Sequence, residues 1–222
     1  MGGELRLNPY RYDLLDRTKF PPGTNVYQCL NSDFWLPAAD GWRAEVWEMI
    51  RKRSDLSYIM MTKRVDRVGN DLPAWVEDAD NIGFVTTMES QEAFDRRWKY
   101  TRDLPFKNKL ITVGPCLEYV DMKPLLEEIC QVFVLGEMGD PETVVKCRYE
   151  WVSEMMRDCV KFDVNFDLLM AGTKFVGPDG IERTLMSFHD MMRMADAYGL
   201  HHVSSTKRQY RHEPSLVFGE VG

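Results

Sequence analysis

The chain has 222 residues, 44% of them hydrophobic, and carries 28 Lys and Arg against 35 Asp and Glu for a formal charge of −7. That length and apolar share suffice for one domain with a full core, while the acidic balance (pI near 5.2) argues against a broad nucleic-acid footprint. No stretch approaches the roughly 18 to 20 uninterrupted apolar residues of a membrane span, and MGGELRLNPY lacks an apolar signal core, so a cytoplasmic protein is expected.

In chain order, residues 1–25 hold Pro9, Pro21, Pro22 and Gly23 with no sustained period, an irregular lead-in. VYQCL followed by NSD (26–33) then reads as a first strand and its exit loop. Asp40 is a candidate N-cap for a helix to about Arg53, with Trp42, Val46 and Ile50 on its apolar face, Trp47 beside them, and Arg43, Glu45, Arg51 and Lys52 opposite. YIMM then TKR (58–64) gives a second strand. VDRVGNDLPAWVEDAD is too broken by Gly69 and Pro73 for one long helix, so a short helix and a loop are expected.

IGFV then TTME (82–89) predicts a third strand, and Ser90 caps a helix from about Gln91 to Arg102. LITV then GP (110–115) is a fourth strand, followed by a helical turn at 122–129. VFVL then GEMGD (132–140) is a fifth. Residues 149–161 place Trp151, Val152, Met155, Met156, Cys159 and Val160 on one apolar stripe. FDLLM then AGTK (166–174) is a sixth strand, VGPDGIER a hairpin or loop, and 188–198 a helix stopped by Gly199. One α/β domain over 1–222 is the expected organisation, with 176–222 forming a C-terminal hairpin, helix and basic tail.

Short apolar runs alternating with helical patterns predict about six parallel strands with helices outside, and ligands in such folds sit at the carboxyl ends of the strands. The expected mouth therefore holds Ser32, Asp33, Thr62, Lys63, Arg64, Thr86, Thr87, Glu89, Gly136, Glu137, Thr173 and Lys174. Carboxylates and cations presented together suit a polar, zwitterionic or phosphorylated ligand. For any one of these residues, an ion pair tying neighbouring loops is the competing reading. Lys207, Arg208, Arg211 and His212 form a basic cluster that interleaves with Tyr210, a pattern phosphates and bases favour, though the acidic whole argues against nucleic acid.

The five cysteines, Cys29, Cys116, Cys130, Cys147 and Cys159, form no CxxC, CxxxC or Cys/His cluster, so no metal is expected from this chain. Buried free thiols are the expected state.

Five ordered motifs stand out: Asn31-Ser32-Asp33-Phe34, Asp40-Gly41-Trp42-Arg43, Thr62-Lys63-Arg64, Thr87-Met88-Glu89-Ser90 and Tyr149-Glu150-Trp151-Val152. In these the chain resembles the phage-associated gene-37/gene-68-like family, of unassigned function and regarded as radical-SAM-like TIM-barrel relatives. The likeness spans about 25–175, with an echo in KRQYRH. It implies a partial (β/α) TIM-type barrel, closed or open. Family members begin with a tryptophan-rich segment and a cysteine cluster of the kind that holds a [4Fe–4S] centre; this sequence carries neither. Val113-Gly114-Pro115-Cys116 replaces Cys-Glu-Pro-Leu, Leu135-Gly136-Glu137-Met138 replaces Gly-Gly-Glu-Ser, and Leu169-Met170 replaces Lys-Gln.

Three readings follow. The first is a degenerate, cluster-less relative binding a polar ligand or protein partner at the strand ends. The second is one subunit of a split enzyme, in which a partner supplies the cysteines, and with them the iron–sulfur cluster and S-adenosylmethionine. Val26 to Leu30 (26–30) would then be an open edge strand, taking a partner chain or a second copy. The third is a barrel enzyme acting on a phosphorylated small molecule, with Lys63 and Arg64 on phosphate and Glu89 or Glu137 as base.

Overall fold

The computed structural model describes residues 15–28, 32–70 and 72–210. All six apolar runs are strands: β1 (Asn25–Gln28), β2 (Ser57–Thr62), β3 (Ile82–Thr87), β4 (Asn108–Val113), β5 (Gln131–Leu135) and β7 (Asn165–Met170). Cys29, Leu30, Asn31, Arg211 and His212 lie outside the described residues. Four short strands complete the set: β6 (Cys147–Arg148), β8 (Lys174–Val176), β9 (Glu182–Thr184) and β10 (His201–His202). The helices are α1 (Asp40–Lys52), α2 (Gln91–Asp103), α3 (Tyr149–Lys161) and α4 (Phe188–Ala197).

Seven strands form one sheet in the order β1-β2-β3-β4-β5-β7-β10, and β6-β8-β9 form a second, three-stranded sheet. β1 with β2, β2 with β3, and β5 with β7 pair in parallel, whereas β10 runs antiparallel to β7. The class is thus α/β with a mostly parallel sheet. That sheet begins at β1 and finishes at β10, and among the described residues no pairing joins these two ends into a closed barrel. Every residue of β3 and β4 is buried, as expected of parallel strands covered on both faces.

The chain divides into two compact units, Met1–Met88 with Asp95–Leu110, and Glu89–Phe94 with Ile111–Gly222. The first is built on aromatic packing. Phe34 meets Trp35 and Trp47 edge-on at 5.0 and 5.4 Å, Trp35 meets Phe84 at 5.5 Å, and Phe84 stacks on Phe106 at 4.5 Å. Such pairs add about 0.5–1.5 kcal/mol each beyond the area they bury.

Helix α1 corrects the expected register. Asp40 is its first residue, not its cap, because Pro37–Ala39 make a 3₁₀ turn that leads directly in. Its buried residues are Arg43, Trp47, Met49 and Ile50, while Trp42 and Val46 are only half-buried. Arg43 turns inward because its guanidinium has partners there: the Phe34 carbonyl, the Asp40 carboxylate and the Phe34 ring 5.7 Å away. Two 3₁₀ helices, Val65–Asn70 and Ala74–Asp78, occupy the stretch expected to hold a short helix and a loop.

Ser90 acts as expected, its hydroxyl accepting from the Ala93 N–H at 3.2 Å. In the second unit, the expected turn near 122–129 is a 3₁₀ helix, Lys123–Glu128. α3 buries Val152, Met155 and Cys159, but Val160 is exposed and Asp158 takes an inward place. Asp158 is tolerated there because Lys161 (2.9 Å), Lys123 (3.4 Å) and the Tyr119 hydroxyl (3.3 Å) surround its carboxylate. VGPDGIER is indeed a hairpin, with β8 and β9 antiparallel, and α4 is capped by Ser187 and followed by Gly199 at φ 58°.

Candidate functional site

The first unit carries Ser32 and Asp33 beyond β1, Thr62, Lys63 and Arg64 at the end of β2, and Thr86 and Thr87 closing β3. Asp33 is 8% exposed, and its carboxylate is the hub. Oδ1 accepts from the Trp35 N–H at 2.9 Å, closing an Asx turn. The Thr62 hydroxyl lies 2.9 Å from both carboxylate oxygens, and Oδ2 also accepts from the Lys63 N–H at 3.3 Å and from Arg64 Nη1 at 3.0 Å. The Thr62 oxygen in turn accepts from the Arg64 N–H at 2.8 Å. A carboxylate has about four lone-pair sites, so that of Asp33 is fully engaged.

A second carboxylate braces the same loop. Asp40 accepts from Arg43 at 2.6 Å and from Arg67 at 2.8 and 3.0 Å, and these guanidiniums hold its carboxyl below the usual aspartate range. Arg43 Nε donates to the Phe34 carbonyl at 3.3 Å and Arg67 Nε to the Trp35 carbonyl at 3.0 Å. Three arginines and two aspartates therefore engage the Asp33 carboxylate, the Trp35 N–H and the carbonyls of Phe34 and Trp35, while the Phe34 and Trp35 rings sit in the core. Asp33 and Phe34, Asp40 and Arg43, and Thr62 with Lys63 and Arg64, drawn from three of the sequence motifs, meet in this network. The Asp40/Arg43 spacing of three on a helix signals that pair, but Arg67 lies 27 residues from Asp40 and no spacing rule points to it.

Ser32 and Lys63 are exposed, and the Arg64 side chain is 42% exposed. Thr87 is buried, its carbonyl accepting from Arg97 at 2.7 Å, and the Thr86 hydroxyl accepts from that of Thr101 at 2.9 Å. These threonines serve the packing of α2.

The second unit brings the ends of β5 and β7 into backbone contact. The Gly136 N–H donates to the Met170 carbonyl and the Thr173 N–H to the Glu137 carbonyl, both at 2.8 Å. A Cβ on Gly136 would lie 2.2 Å from the Ala171 oxygen, and one on Gly172, at φ +80°, would lie 2.6 Å from the Gly136 carbonyl carbon. Only glycine fits this crossing. The Thr173 hydroxyl accepts from the Gly139 N–H at 3.0 Å, and Glu137 Oε2 accepts from the Val145 N–H at 2.6 Å, closing the loop between them. Glu89 is half-buried and its carbonyl accepts from the Leu117 N–H at 3.2 Å. Lys174 pairs with Glu182 at 2.5 Å, and Lys146 pairs with the same carboxylate at 2.6 Å. Lys146 and then Lys174 hold the Glu182 carboxyl down at about 2.

In the tail, the Lys207 ammonium donates to the carbonyls of Leu126 and Ile129 at 2.9 and 2.8 Å, and burial lowers its pKa. Arg208 lies over the Tyr210 ring at 5.0 Å. Lys207 is thus spent on the end of the 3₁₀ helix Lys123–Glu128.

Cys116, Cys130, Cys147 and Cys159 are free and buried. Burial pushes the Cys130 thiol up to about 12 and the Cys159 thiol up as well; the neighbouring Cys116 thiol, with burial, raises Cys147. Among the described residues no group of three or more His, Cys, Asp and Glu could hold a metal ion, and no helix is long and apolar enough to cross a membrane.

A family model described as a protein of unknown function (DUF5131) matches residues 5–197. No curated protein and no solved structure matches the chain.

Proposed function

The chain belongs to the DUF5131 family of proteins of unknown function, and from its strand-end residues we propose that it is a degenerate, radical-SAM-like protein that binds a polar ligand at the C-terminal ends of its strands. The Asp33–Thr62–Arg64 network carries this reading. It ties Asp33 to the end of β2 through the buried Asp33 carboxylate and the buried Thr62 hydroxyl, and leaves Ser32, Lys63 and part of Arg64 turned to solvent. A rigid polar rim of this kind is what a ligand site needs in advance of its ligand. Within the second unit taken by itself, Glu89 and Glu137 are strand-end carboxylates, whereas Thr173 and Lys174 serve the local structure there. The sequential strand order supports a partial TIM-type barrel, since a doubly wound sheet would reverse its order midway.

The four described thiols do not fit an iron–sulfur centre. Such clusters need several cysteines gathered at one point, and among the described residues no group of three or more His, Cys, Asp and Glu comes together to hold a metal. On this reading a cluster and S-adenosylmethionine enter only with cysteines from another polypeptide. The position of β1 at one end of the sheet favours that as the second reading, a partner chain or second copy adding a strand there.

Anaerobic iron–sulfur reconstitution, followed by thermal melts with S-adenosylmethionine, tests both. The chain alone should take up no iron, and a rise in its melting temperature with S-adenosylmethionine would mark a pocket that persists without a cluster. Stoichiometric iron uptake would overturn the cluster-less reading, and elution as a monomer of 25.9 kDa would count against the partner strand.

A further inference from the structure

We infer that the ligand group met at this rim is an oxyanion, a phosphate or a carboxylate, gripped by Arg64, with Asp33 and Thr62 acting as positioning residues that do not touch it. The inference rests on the rim reading and names its ligand class. Asp33 is a poor ligand contact: it is 8% exposed, and the Trp35 and Lys63 N–H groups, the Thr62 hydroxyl and Arg64 Nη1 already occupy its oxygens. Its charge is nonetheless directed at one guanidinium.

That pairing is single-pronged, through Nη1 to Oδ2 at 3.0 Å. A guanidinium has five N–H donors, so one such bond leaves a fork of donors beyond it, and 42% of the Arg64 side chain faces solvent. The residue is also held from behind, because its own N–H is tied to Thr62 Oγ1 at 2.8 Å. An ordinary surface arginine loses much side-chain freedom on gripping an anion; one already anchored by a buried carboxylate and a buried hydroxyl loses less. Planar, two-pronged recognition of carboxylate or phosphate is what such a fork does best. The charge balance agrees: Arg43, Arg64 and Arg67 face Asp33 and Asp40, three guanidiniums against two carboxylates, so the network alone carries one positive charge in excess.

Calorimetric titration of the full chain with pyrophosphate, with citrate and with S-adenosylmethionine tests this, using wild type, Arg64→Gln, Arg64→Lys and Asp33→Asn. Pyrophosphate or citrate should bind, and whichever binds identifies the source of the oxyanion. Arg64→Gln should raise Kd about tenfold or more, the loss of one charge-assisted contact. Arg64→Lys should recover part of that loss, and Asp33→Asn should raise Kd several-fold well below its melting temperature. That last change tracks the aim of Arg64, which general loss of structure would not affect in the folded fraction. Binding of S-adenosylmethionine with equal affinity to wild type and Arg64→Gln, and of neither oxyanion, would overturn the inference while leaving the rim reading intact. Binding of none of the three at millimolar concentration would overturn both.

Discussion

Replacing Asp33 with alanine should be among the most damaging single changes in the first unit. The carboxylate removed takes hydrogen bonds from the Trp35 N–H at 2.9 Å, the Thr62 hydroxyl at 2.9 Å, the Lys63 N–H at 3.3 Å and Arg64 at 3.0 Å. Thr62 and Trp35 are buried, so the Thr62 hydroxyl and the Trp35 N–H lose a partner where water does not replace it, at about 1–3 kcal/mol each. Arg64 is partly exposed and its unpairing adds less than about 1 kcal/mol. The expected loss is therefore roughly 2–7 kcal/mol, a large part of the 5–15 kcal/mol typical of a folded chain. Asp33→Asn keeps an acceptor oxygen for Thr62 and should cost less than half as much. Urea denaturation at pH 7, followed by tryptophan fluorescence and fitted to ΔG and m, measures both. A drop below about 1 kcal/mol for Asp33→Ala, with m unchanged, would refute the assignment of this carboxylate as the hub of the β1–β2 junction.

Three further outcomes follow from the geometry. Gly136→Ala should yield little folded protein or cost more than about 3 kcal/mol, because its Cβ would lie 2.2 Å from a main-chain oxygen; Gly41→Ala, with open space around the Cβ, should be tolerated, and equal melting temperatures for the two would contradict the crossing. Titration with a chromogenic disulfide at pH 8 should leave Cys116, Cys130, Cys147 and Cys159 unmodified in the native protein and modify them on unfolding, and rapid native labelling of any of the four, located by mass spectrometry, would show that site to be open. Glu182, held down at about 2 by Lys146 and Lys174, contributes stability that is complete above the ordinary glutamate value near 4.5 and is lost as pH falls toward 2. An acid titration should accordingly show the β8–β9 hairpin loosening between those values, and Glu182→Gln should remove that part of the pH dependence.

The strands were legible because burial on both faces forces continuous apolar runs, and β2, β3 and β5 fell where such runs ended in TKR, TTME and GEMGD. β6 and β10, two residues each, left no such run, and their pairing depends on neighbours far along the chain. Face assignment failed at α1 because Arg43 reads as a solvent residue until the Phe34 carbonyl and Asp40 carboxylate are known to await it. The same limit applied to the site. Strand-end position could be read for Asp33, Thr62 and Arg64, but the partner of Asp33 lies 29 to 31 residues away, and no spacing rule gives it. Lys174 and Lys207 looked equally available in sequence and are committed to Glu182 and to main-chain carbonyls.

The order of the large sheet also bears on how the protein is made. From β1 to β5 each strand lies beside the one translated just before it. A nascent chain leaving the ribosome can therefore zip each new segment onto an edge that already exists, closing only the loop of a single crossover each time. β10 alone must return antiparallel to β7 after β8 and β9 have intervened, so the last addition to this array waits until His202 has emerged.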